Sequence, residues 1–180
     1  MVYVLLATGF EETEAIAPVD LLRRAGVTVN TVGVNGKVVS GSHNIGIEAD
    51  ITIDEMDLSQ AEMIVLPGGL RGVASIRASE AAMKALKQAW DMGLYVAAIC
   101  AGPTVLADLH IPNGKNATCY PGCEAAMGSA KMVPGAAAVQ DGKLITGTSA
   151  GCAIPFGLAL VEALCGKEAA NTIAEQIVIR

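Results

Sequence analysis

The chain has 180 residues, of which 52% are hydrophobic and 17% are charged, and its formal net charge is −6. This length suits a single domain over residues 1–180 that buries a core of its own. Charged residues and glycines interrupt every apolar run before the ~18 residues that a membrane span needs. An acidic chain without a basic cluster is also a poor partner for nucleic acid or an anionic membrane.

The first part of the chain alternates between strand and helix patterns. Residues 1–9, MVYVLLATG, form a β-type apolar run that lacks the basic region and the length of a signal peptide, so we expect a cytoplasmic protein. Residues 10–26 place apolar side chains at helical spacing and end in glycine. Pro18 falls early in this helix and is expected to perturb its second turn. Residues 27–34, VTVNTVGV, predict a second strand.

A hairpin, a buried strand and a helix are predicted next. Asn35-Gly36 followed by KVV is the strongest short hairpin signal in the chain, because this pair favours the tight turn between antiparallel strands. Residues 62–69, EMIVLPGG, predict a buried strand that runs into two glycines. Ser79 can cap a helix that continues through Met92.

The second half of the chain repeats the pattern of a strand followed by a helix. Residues 94–99, LYVAAI, predict a strand, and Pro103 suits the first turn of the helix after it. Residues 110–135 are typical of a loop with a short helical piece. The stretch KLITG at 143–147 predicts a strand, and a last amphipathic helix is expected at about 152–165. Strands that alternate with helices predict an α/β fold whose mainly parallel sheet is covered by helices on both faces.

Binding sites in such folds lie beyond the carboxyl ends of the strands. Three stretches of this sequence occupy that position, namely TGFEETE at 8–14, PGG at 67–69 and CAG at 100–102. The last two follow successive strands, so we expect their loops to be neighbours. The sequence therefore predicts a functional site at this edge of the sheet.

Cys100 lies at a predicted turn from strand to helix and is the leading candidate for a nucleophile. Such a turn lifts a side chain out at the sheet edge, and the residues two before and two after it must be small. Ala98 and Gly102 meet that requirement. The N–H groups and the dipole at the start of the next helix are expected to lower the thiol pKa below its usual value. A buried structural cysteine is the alternative interpretation.

Two backbone amides and one acidic side chain are candidates to act with this thiol. The N–H groups of Gly69 and Ala101 can form the two halves of an oxyanion hole, although the glycines can also serve a tight turn alone. The first helix begins with Glu11, Glu12 and Glu14, where acids are favourable in any case. If one of them meets the sulfur, it is expected to be protonated and able to shuttle protons. Spacing alone does not choose among the three.

The remaining candidate residues carry weaker signals. Neither His43 nor His110 adjoins Cys100 in the sequence, so both are interpreted as surface residues and no thiol-protease dyad is evident, although a residue distant in the sequence can fold in beside the sulfur. The five cysteines lack a framework spacing, which predicts free thiols in a reducing compartment. No cofactor or metal is predicted, because the C-x3-C pair of Cys119 and Cys123 has no companion ligands at suitable spacing.

Four stretches in order along the chain resemble the ThiJ/PfpI superfamily and, within it, the branch of the parkinsonism-associated protein deglycase. They are FEETEAIAPVDLLRRAGV, IVLPGG, AAICAGP and ALVEALCGKEAA. The combination of E-E-x-E, P-G-G and A-I-C-A-G-P is specific, and the resemblance covers essentially the whole chain. It implies a flavodoxin-like α/β sandwich, usually homodimeric, with a reactive cysteine at the nucleophile elbow.

Motif by motif, the resemblance assigns the family's cysteine to Cys100, its protonated glutamate to Glu14 and its oxyanion amides to Gly69 and Ala101. Members are described as glutathione-independent glyoxalases, as deglycases of early glycation adducts, and as oxidative-stress sensors or chaperones. The resemblance therefore implies a cysteine-dependent enzyme that acts on small reactive carbonyls or glycated adducts without a cofactor. An oxidative-stress sensor or redox-regulated chaperone without turnover is the alternative hypothesis.

Three positions depart from the pattern of the relatives. Some relatives place the histidine of a His-Pro pair beside the cysteine; here Tyr120 precedes Pro121, so Tyr120 is a candidate neighbour of Cys100, and a phenol is a poorer base at neutral pH. Ala101 stands where the peptidase-like branch has a histidine, which argues against a cysteine peptidase. Cys152, in SAGCA, occupies a slot where many relatives read G-P-G-T, and it is a candidate resolving thiol if it lies near the site.

Overall fold

Parallel strands form the centre of the computed structural model, which describes residues 1–179. The strands are β1 (Val2–Leu6), β2 (Val29–Gly33), β3 (Val38–Ser40), β4 (Gly46–Glu48), β5 (Ile51–Thr52), β6 (Met63–Leu66), β7 (Tyr95–Ile99), β8 (Asn116–Ala117), β9 (Lys131–Met132), β10 (Ala138–Asp141) and β11 (Leu144–Gly147). The helices are α1 (Glu12–Arg24), α2 (Leu70–Ala78), α3 (Glu80–Asp91), α4 (Gly102–Asp108), α5 (Ala153–Cys165) and α6 (Lys167–Gln176). Within these described residues, no helix has the length and apolarity to cross a membrane.

The main sheet has seven strands in the order β10-β11-β7-β6-β1-β2-β5. Strand β10 runs antiparallel to β11, and all other neighbours in this sheet are parallel. Two small pairs, β3 with β4 and β8 with β9, lie outside it. The predicted α/β fold with a mainly parallel sheet is therefore confirmed.

The main sheet is buried on both faces, which explains its unbroken apolar strands. Alternate residues of β1 contact opposite layers: Tyr3 and Leu5 pack with α2, α3 and α4, whereas Val4 and Leu6 pack with α1, α5 and α6. Because neither face meets water, neither face needs polar side chains. The helices therefore cover both faces of the sheet, as the sequence predicts.

The carboxyl ends of β1, β6 and β7 meet at one edge of the sheet. Strand β6 lies between the other two, with Val65 in register with Ala97 of β7. The loop after β1 also touches the loop after β6, because the Glu11 N–H donates a hydrogen bond to the Gly68 carbonyl at 3.0 Å. The loops after β6 and β7 are neighbours as expected, because a methyl group at Gly68 would lie 2.7 Å from Cys100 Cβ, and the loop after β1 joins them.

The hairpin predicted at Asn35-Gly36 is wrong. Strand β2 pairs in parallel with β1 and β5, and β3 pairs with β4 across the turn at 41–45. Asn35 instead supports the first loop of the site, because its Oδ1 accepts a hydrogen bond from the Thr8 N–H at 2.9 Å. Burial of β2 within the main sheet outweighs the local turn preference.

Sequence patterns do not predict two of the helices. Helix α6 follows α5 across Gly166, whose φ of +87° ends one helix and begins the next, so the helix expected at about 152–165 is not the last. Helix α2 contains Gly72, a residue with low helix propensity. A methyl group at Gly72 would lie 2.7 Å from Phe10 Cα, so the glycine permits close packing on the loop after β1.

Helix α1 continues through Pro18 without a break, contrary to the expected perturbation. Its contact with α5 is close, because a methyl group at Gly157 would lie 2.6 Å from Leu21 Cδ1 and 3.2 Å from Pro18 Cα. Packing of this kind contributes more to the stability of a helix in a protein than local propensity does. The contact with α5 therefore compensates for the proline.

We predict that Gly157→Val lowers the free energy of unfolding by about 1–3 kcal/mol, because the added side chain would overlap Leu21 and the backbone of α1. The matched control is Gly151→Val, since only Ser149 Oγ, at 3.9 Å, lies near that position. Urea unfolding of both variants measures the difference. Equal stability of the two variants would contradict the close contact between α1 and α5.

Candidate active site

Cys100 stands in a sharp turn between β7 and α4. Its φ is +65°, a left-handed conformation that is rare for a residue with a side chain. The turn is held on both sides, because the Cys100 N–H donates to the Gly147 carbonyl at 2.9 Å and the Cys100 carbonyl accepts from the Tyr120 N–H at 2.8 Å. A methyl group at Gly102 would lie 3.3 Å from Ala98 Cβ, so the predicted need for small neighbours is confirmed.

Two backbone N–H groups point at the Cys100 sulfur. They belong to Gly69 and Ala101, and both lower the pKa of the thiol. Gly69 has a φ of +89°, and a methyl group there would lie 2.5 Å from the Gly9 carbonyl oxygen. Glycine is therefore required at this position. The two amides contact the sulfur, and the oxyanion hole that they can form stays a prediction.

Glu14 is fully buried and lies beside Cys100. Its Oε2 accepts a hydrogen bond from the Gly68 N–H at 2.8 Å, while Oε1 is buried without a partner of regular hydrogen-bond geometry. A methyl group at Gly68 would lie 2.5 Å from Glu14 Oε2 and 2.7 Å from Cys100 Cβ. The absence of a side chain at Gly68 thus allows the carboxyl group and the thiol to approach each other.

The three glutamates at the start of α1 make different contacts. Their spacing in the sequence does not reveal which of them lies beside Cys100. Glu11 is the N-cap of the helix, and its Oε2 accepts from the Glu14 N–H at 2.7 Å. Glu12 faces the turn at 41–45 and accepts hydrogen bonds from Ser42 and His43. Only Glu14 reaches the sulfur, which agrees with the assignment implied by the family resemblance.

The pKa values of Glu14 and Cys100 are both raised. Burial raises the pKa of Glu14 to about 7, although hydrogen bonds with Cys100 and the Gly68 N–H oppose the shift. Burial, followed by the charge of Glu14, raises the pKa of Cys100 to about 12. The predicted lowering of the thiol pKa is therefore wrong, because desolvation and a facing carboxylate outweigh the two amides. The two groups behave as one coupled pair that loses its first proton near pH 7 and then carries a single negative charge.

A pocket of about 540 Å³ opens at Cys100 and is large enough for a small organic molecule. It is lined by Glu11, Ser42, His43, Gly69, Leu70, Arg71, Cys100, Ala101 and Tyr120. Tyr120 thus lies near the thiol, as the sequence suggests. His43 is exposed, as predicted, but it also lines this pocket, which sequence reasoning misses.

Other candidate residues lie elsewhere. Cys152 precedes α5, where its sulfur is 3.9 Å from Ser149 Oγ, and it does not line the Cys100 pocket. Burial raises the pKa of the Cys119 thiol to about 11. All five cysteines are free thiols. The described side chains therefore leave Cys100 as the only cysteine that lines this pocket.

Glu11, Glu12 and His43 bring potential metal-ligating atoms within 4.8 Å of one another. The Glu12 carboxylate already accepts three hydrogen bonds, from Ser42 Oγ at 3.0 Å and from the His43 N–H and Nδ1 at 2.7 and 2.9 Å. Because these donors satisfy the carboxylate, we assign no metal to this group.

Comparisons with known proteins place these features in a family. Residues 1–163 match the sequence model of the DJ-1/PfpI family. The chain is 36% identical over 178 residues to the protein dj-1beta of Drosophila melanogaster, covering 98% of this chain and 95% of that protein. The crystal structure of Drosophila DJ-1beta aligns with a TM-score of 0.93 at 36% identity, covering 99% of this chain and 97% of that one.

Two further relatives bear on the chemistry. A protein of Pyrococcus abyssi named a deglycase is 32% identical over 121 residues, which cover 67% of this chain and 72% of that protein. The structure described as Toxoplasma gondii DJ-1, oxidized, aligns with a TM-score of 0.91 at 33% identity, covering 98% of this chain and 97% of that one. Together, these matches confirm the resemblance that the sequence motifs indicate.

We predict that alkylation of Cys100 by iodoacetamide follows an unusual pH profile. The rate rises as the pair loses its first proton near pH 7, and it then stays level above about pH 8, because ionised Glu14 keeps the thiol protonated. In Glu14→Gln the repulsion is absent, so the rate continues to rise above about pH 8. Mass spectrometry of the Cys100 peptide measures the rate.

Two variants control this measurement. Glu11→Gln removes a charge that raises the pKa of Glu14, so the rise should move to lower pH, but Glu14 still faces the thiol and the level region should remain. Cys100→Ser removes the thiol from the measured peptide and gives the background of the assay. Identical profiles for the wild type and Glu14→Gln would contradict the coupling between the carboxyl group and the thiol.

Proposed function

The chain belongs to the DJ-1/PfpI family, and on this basis we propose that it is a cysteine-dependent enzyme for small reactive carbonyls, of the glutathione-independent glyoxalase or deglycase type. The observation that carries the proposal is the contact between the Glu14 carboxyl group and Cys100. The amides of Gly69 and Ala101 and a pocket of small-molecule size support it.

The first step is the attack of Cys100 on an aldehyde. Glu14, whose pKa of about 7 makes it a poised base, takes the thiol proton as the sulfur bonds to the carbonyl carbon. The π electrons of the carbonyl move to its oxygen, which the N–H groups of Gly69 and Ala101 stabilise. The product is a hemithioacetal. A buried thiol with a raised pKa thus needs no free thiolate, because proton loss and attack occur together.

The second step moves hydrogen between adjacent carbons of a 2-oxoaldehyde. Glu14 returns its proton to a substrate oxygen, and the resulting carboxylate takes the proton from the carbon attached to sulfur. It then delivers that proton to the neighbouring carbon, and the hydroxyl proton passes to the neighbouring oxygen. The first carbon is oxidised and the second is reduced, which leaves a thioester of a 2-hydroxy acid. Water cleaves this thioester and restores the thiol, so methylglyoxal plus water gives lactate.

Deglycation extends the same chemistry to a protein or nucleotide adduct. The adduct is a hemiaminal, in which the carbonyl carbon already carries the nitrogen of an amine or a base. The sulfur bonds to that carbon, the carbon–nitrogen bond breaks, and the nitrogen leaves with the proton of the thiol. The proposal therefore covers small carbonyls and glycated adducts as substrates. None of these steps requires a cofactor or a metal.

A redox sensor or chaperone is a second candidate function. It is favoured by the unpartnered Glu14 Oε1 beside Cys100, because a protonated carboxyl group there can donate a hydrogen bond to an oxidised sulfur. A relative from Toxoplasma gondii is described in an oxidized form. A cysteine peptidase is not favoured, since Ala101 supplies no imidazole next to the thiol.

We further propose that residues 1–180 act as a single domain, as a homodimer and in the cytoplasm. Free thiols at all five cysteines fit a reducing compartment. The half-buried apolar residues Ile154 and Leu158 of α5 are available for an interface between two copies. Sedimentation of the purified chain tests the dimer.

We predict that the purified chain converts methylglyoxal to lactate. Cys100→Ala abolishes the activity because it removes the nucleophile, and Glu14→Gln lowers kcat/KM by about 100-fold or more because it removes the proton carrier. Cys152→Ala is the matched control and keeps the wild-type rate, since that residue lies outside the pocket. Enzymatic detection of lactate measures all four proteins.

Unchanged rates in both Cys100→Ala and Glu14→Gln would end the carbonyl proposal. Mild peroxide separates it from the second candidate. Addition of two oxygen atoms to Cys100 in a chain that makes no lactate would favour a sensor, whereas equal oxidation of all five cysteines would count against it.

A further inference from the structure

A histidine oriented by a buried carboxylate lies at the Cys100 pocket. The carboxyl group of Glu12 is 9% exposed, and its Oε2 is 2.9 Å from His43 Nδ1. The imidazole is 70% exposed and lines the same pocket as Cys100. Glu12 and His43 have no part in the chemistry described above, although the imidazole lines the pocket in which the substrate is proposed to bind.

The contact with Glu12 determines which ring nitrogen carries a proton. A carboxylate accepts hydrogen bonds only, so Nδ1 must donate, and Nε2 is the nitrogen left for other partners. This arrangement matches the way in which a carboxylate orients the histidine of a catalytic triad. Nε2 can therefore give or take a proton.

The backbone of this segment is fixed against the loop after β1. The Ser42 N–H donates to the Phe10 carbonyl at 2.8 Å, and the His43 N–H donates to Glu12 Oε1 at 2.7 Å. A methyl group at Gly41 would overlap the Glu12 carboxyl group, so the glycine allows the backbone to approach the carboxylate. His43 is thus placed relative to the pocket by main-chain contacts rather than by a free loop.

Negative charge surrounds this histidine. Hydrogen bonding and charge from Glu12, with a smaller effect of Glu11, raise the pKa of His43 above its usual value. Hydrogen bonds from His43 and Ser42 lower the pKa of Glu12 to about 2 although burial opposes them, so this carboxylate stays ionised. Glu11, Arg71, Cys100 and Tyr120 are the other titratable residues that line the pocket, and the buried Glu14 contacts Cys100 from outside this lining.

We propose that His43 is a second proton-transferring residue of the Cys100 pocket, an inference that rests on the proposed carbonyl chemistry. Nε2–H of the imidazolium gives its proton to the carbonyl oxygen while the sulfur of Cys100 bonds to the carbonyl carbon. The π electrons of the carbonyl form the new O–H bond, and the imidazole is left neutral. Nε2 takes this proton back when the same oxygen becomes the carbonyl of the thioester, and the neighbouring oxygen instead receives the proton that Glu14 took from the thiol.

This role divides the proton transfers between two residues. Glu14 serves the thiol, the two carbon atoms and the neighbouring oxygen, and His43 serves the oxygen of the attacked carbonyl. The amides of Gly69 and Ala101 still stabilise the negative charge that develops on the carbonyl oxygen before His43 delivers its proton. Positioned acids contribute about 100-fold to 10,000-fold to such reactions.

The test compares the two histidines of the chain with methylglyoxal as substrate. His43→Asn should lower kcat/KM for lactate formation by about 100-fold, with an unchanged midpoint of thermal unfolding. His110→Asn is the matched control, because His110 is exposed outside the pocket and asparagine tolerates its φ of +59°. Added imidazole should restore activity to His43→Ala, which a merely structural residue would not permit.

The pH dependence gives a second readout. The acid acts only when protonated, so kcat/KM should fall as the pH rises through the pKa of His43. Glu12→Gln removes the charge that raises this pKa, and it should move the falling limb to lower pH.

The outcomes separate this inference from the proposed function. If the wild type makes lactate and His43→Asn equals His110→Asn, the role of His43 is wrong and the carbonyl chemistry stands. A slow His43→Asn variant does not by itself establish the role of His43. If imidazole also fails to rescue His43→Ala, and kcat/KM of Glu12→Gln falls at the same pH as in the wild type, the role of His43 is wrong. A wild-type chain that makes no lactate would overturn both.

Discussion

A buried carboxyl group beside a half-buried thiol is the interaction on which the site depends. Water cannot solvate a charge on Glu14, and the nearby sulfur cannot share the pocket with a second negative charge. Once the first proton has left near pH 7, one proton and one negative charge are therefore distributed between the two groups. A carboxyl group in that condition can act as a base towards the thiol and as an acid towards a substrate or an oxidised sulfur.

The fold makes this contact possible through small residues in fixed positions. Glu14 comes from the helix after β1, and Cys100 follows β7, two strands away in the sheet. The loop between them follows β6, where Gly68 leaves room for both side chains and Gly69 turns its N–H to the sulfur. Cys100 itself is held in a conformation that costs energy for a residue with a side chain. Burial of both faces of the sheet supplies the stability that supports this strained turn.

Much of this arrangement is predictable from the sequence, and the failures have physical causes. Apolar strand runs, the cap at Ser79 and the small residues around Cys100 are local signals, and they predict the sheet and its functional edge. The turn preference of Asn35-Gly36 fails because pairing within the sheet outweighs it. The position of His43 depends on the pairing of β3 with β4, which no local pattern indicates. The raised pKa of Cys100 arises from burial and from a residue 86 positions away in the chain, so a helix-dipole argument alone gives the wrong direction.

The protonation of Glu14 is the property that tests this description most directly. Infrared difference spectroscopy of the chain with isotope-labelled glutamate follows each carboxyl group through a pH titration, and Glu14→Gln assigns the band of Glu14. We predict that this carboxyl group titrates with a midpoint near 7, because burial next to Cys100 disfavours its charge. A midpoint near the ordinary value of 4.5 would contradict the shared negative charge, and with it the role of Glu14 as the proton carrier.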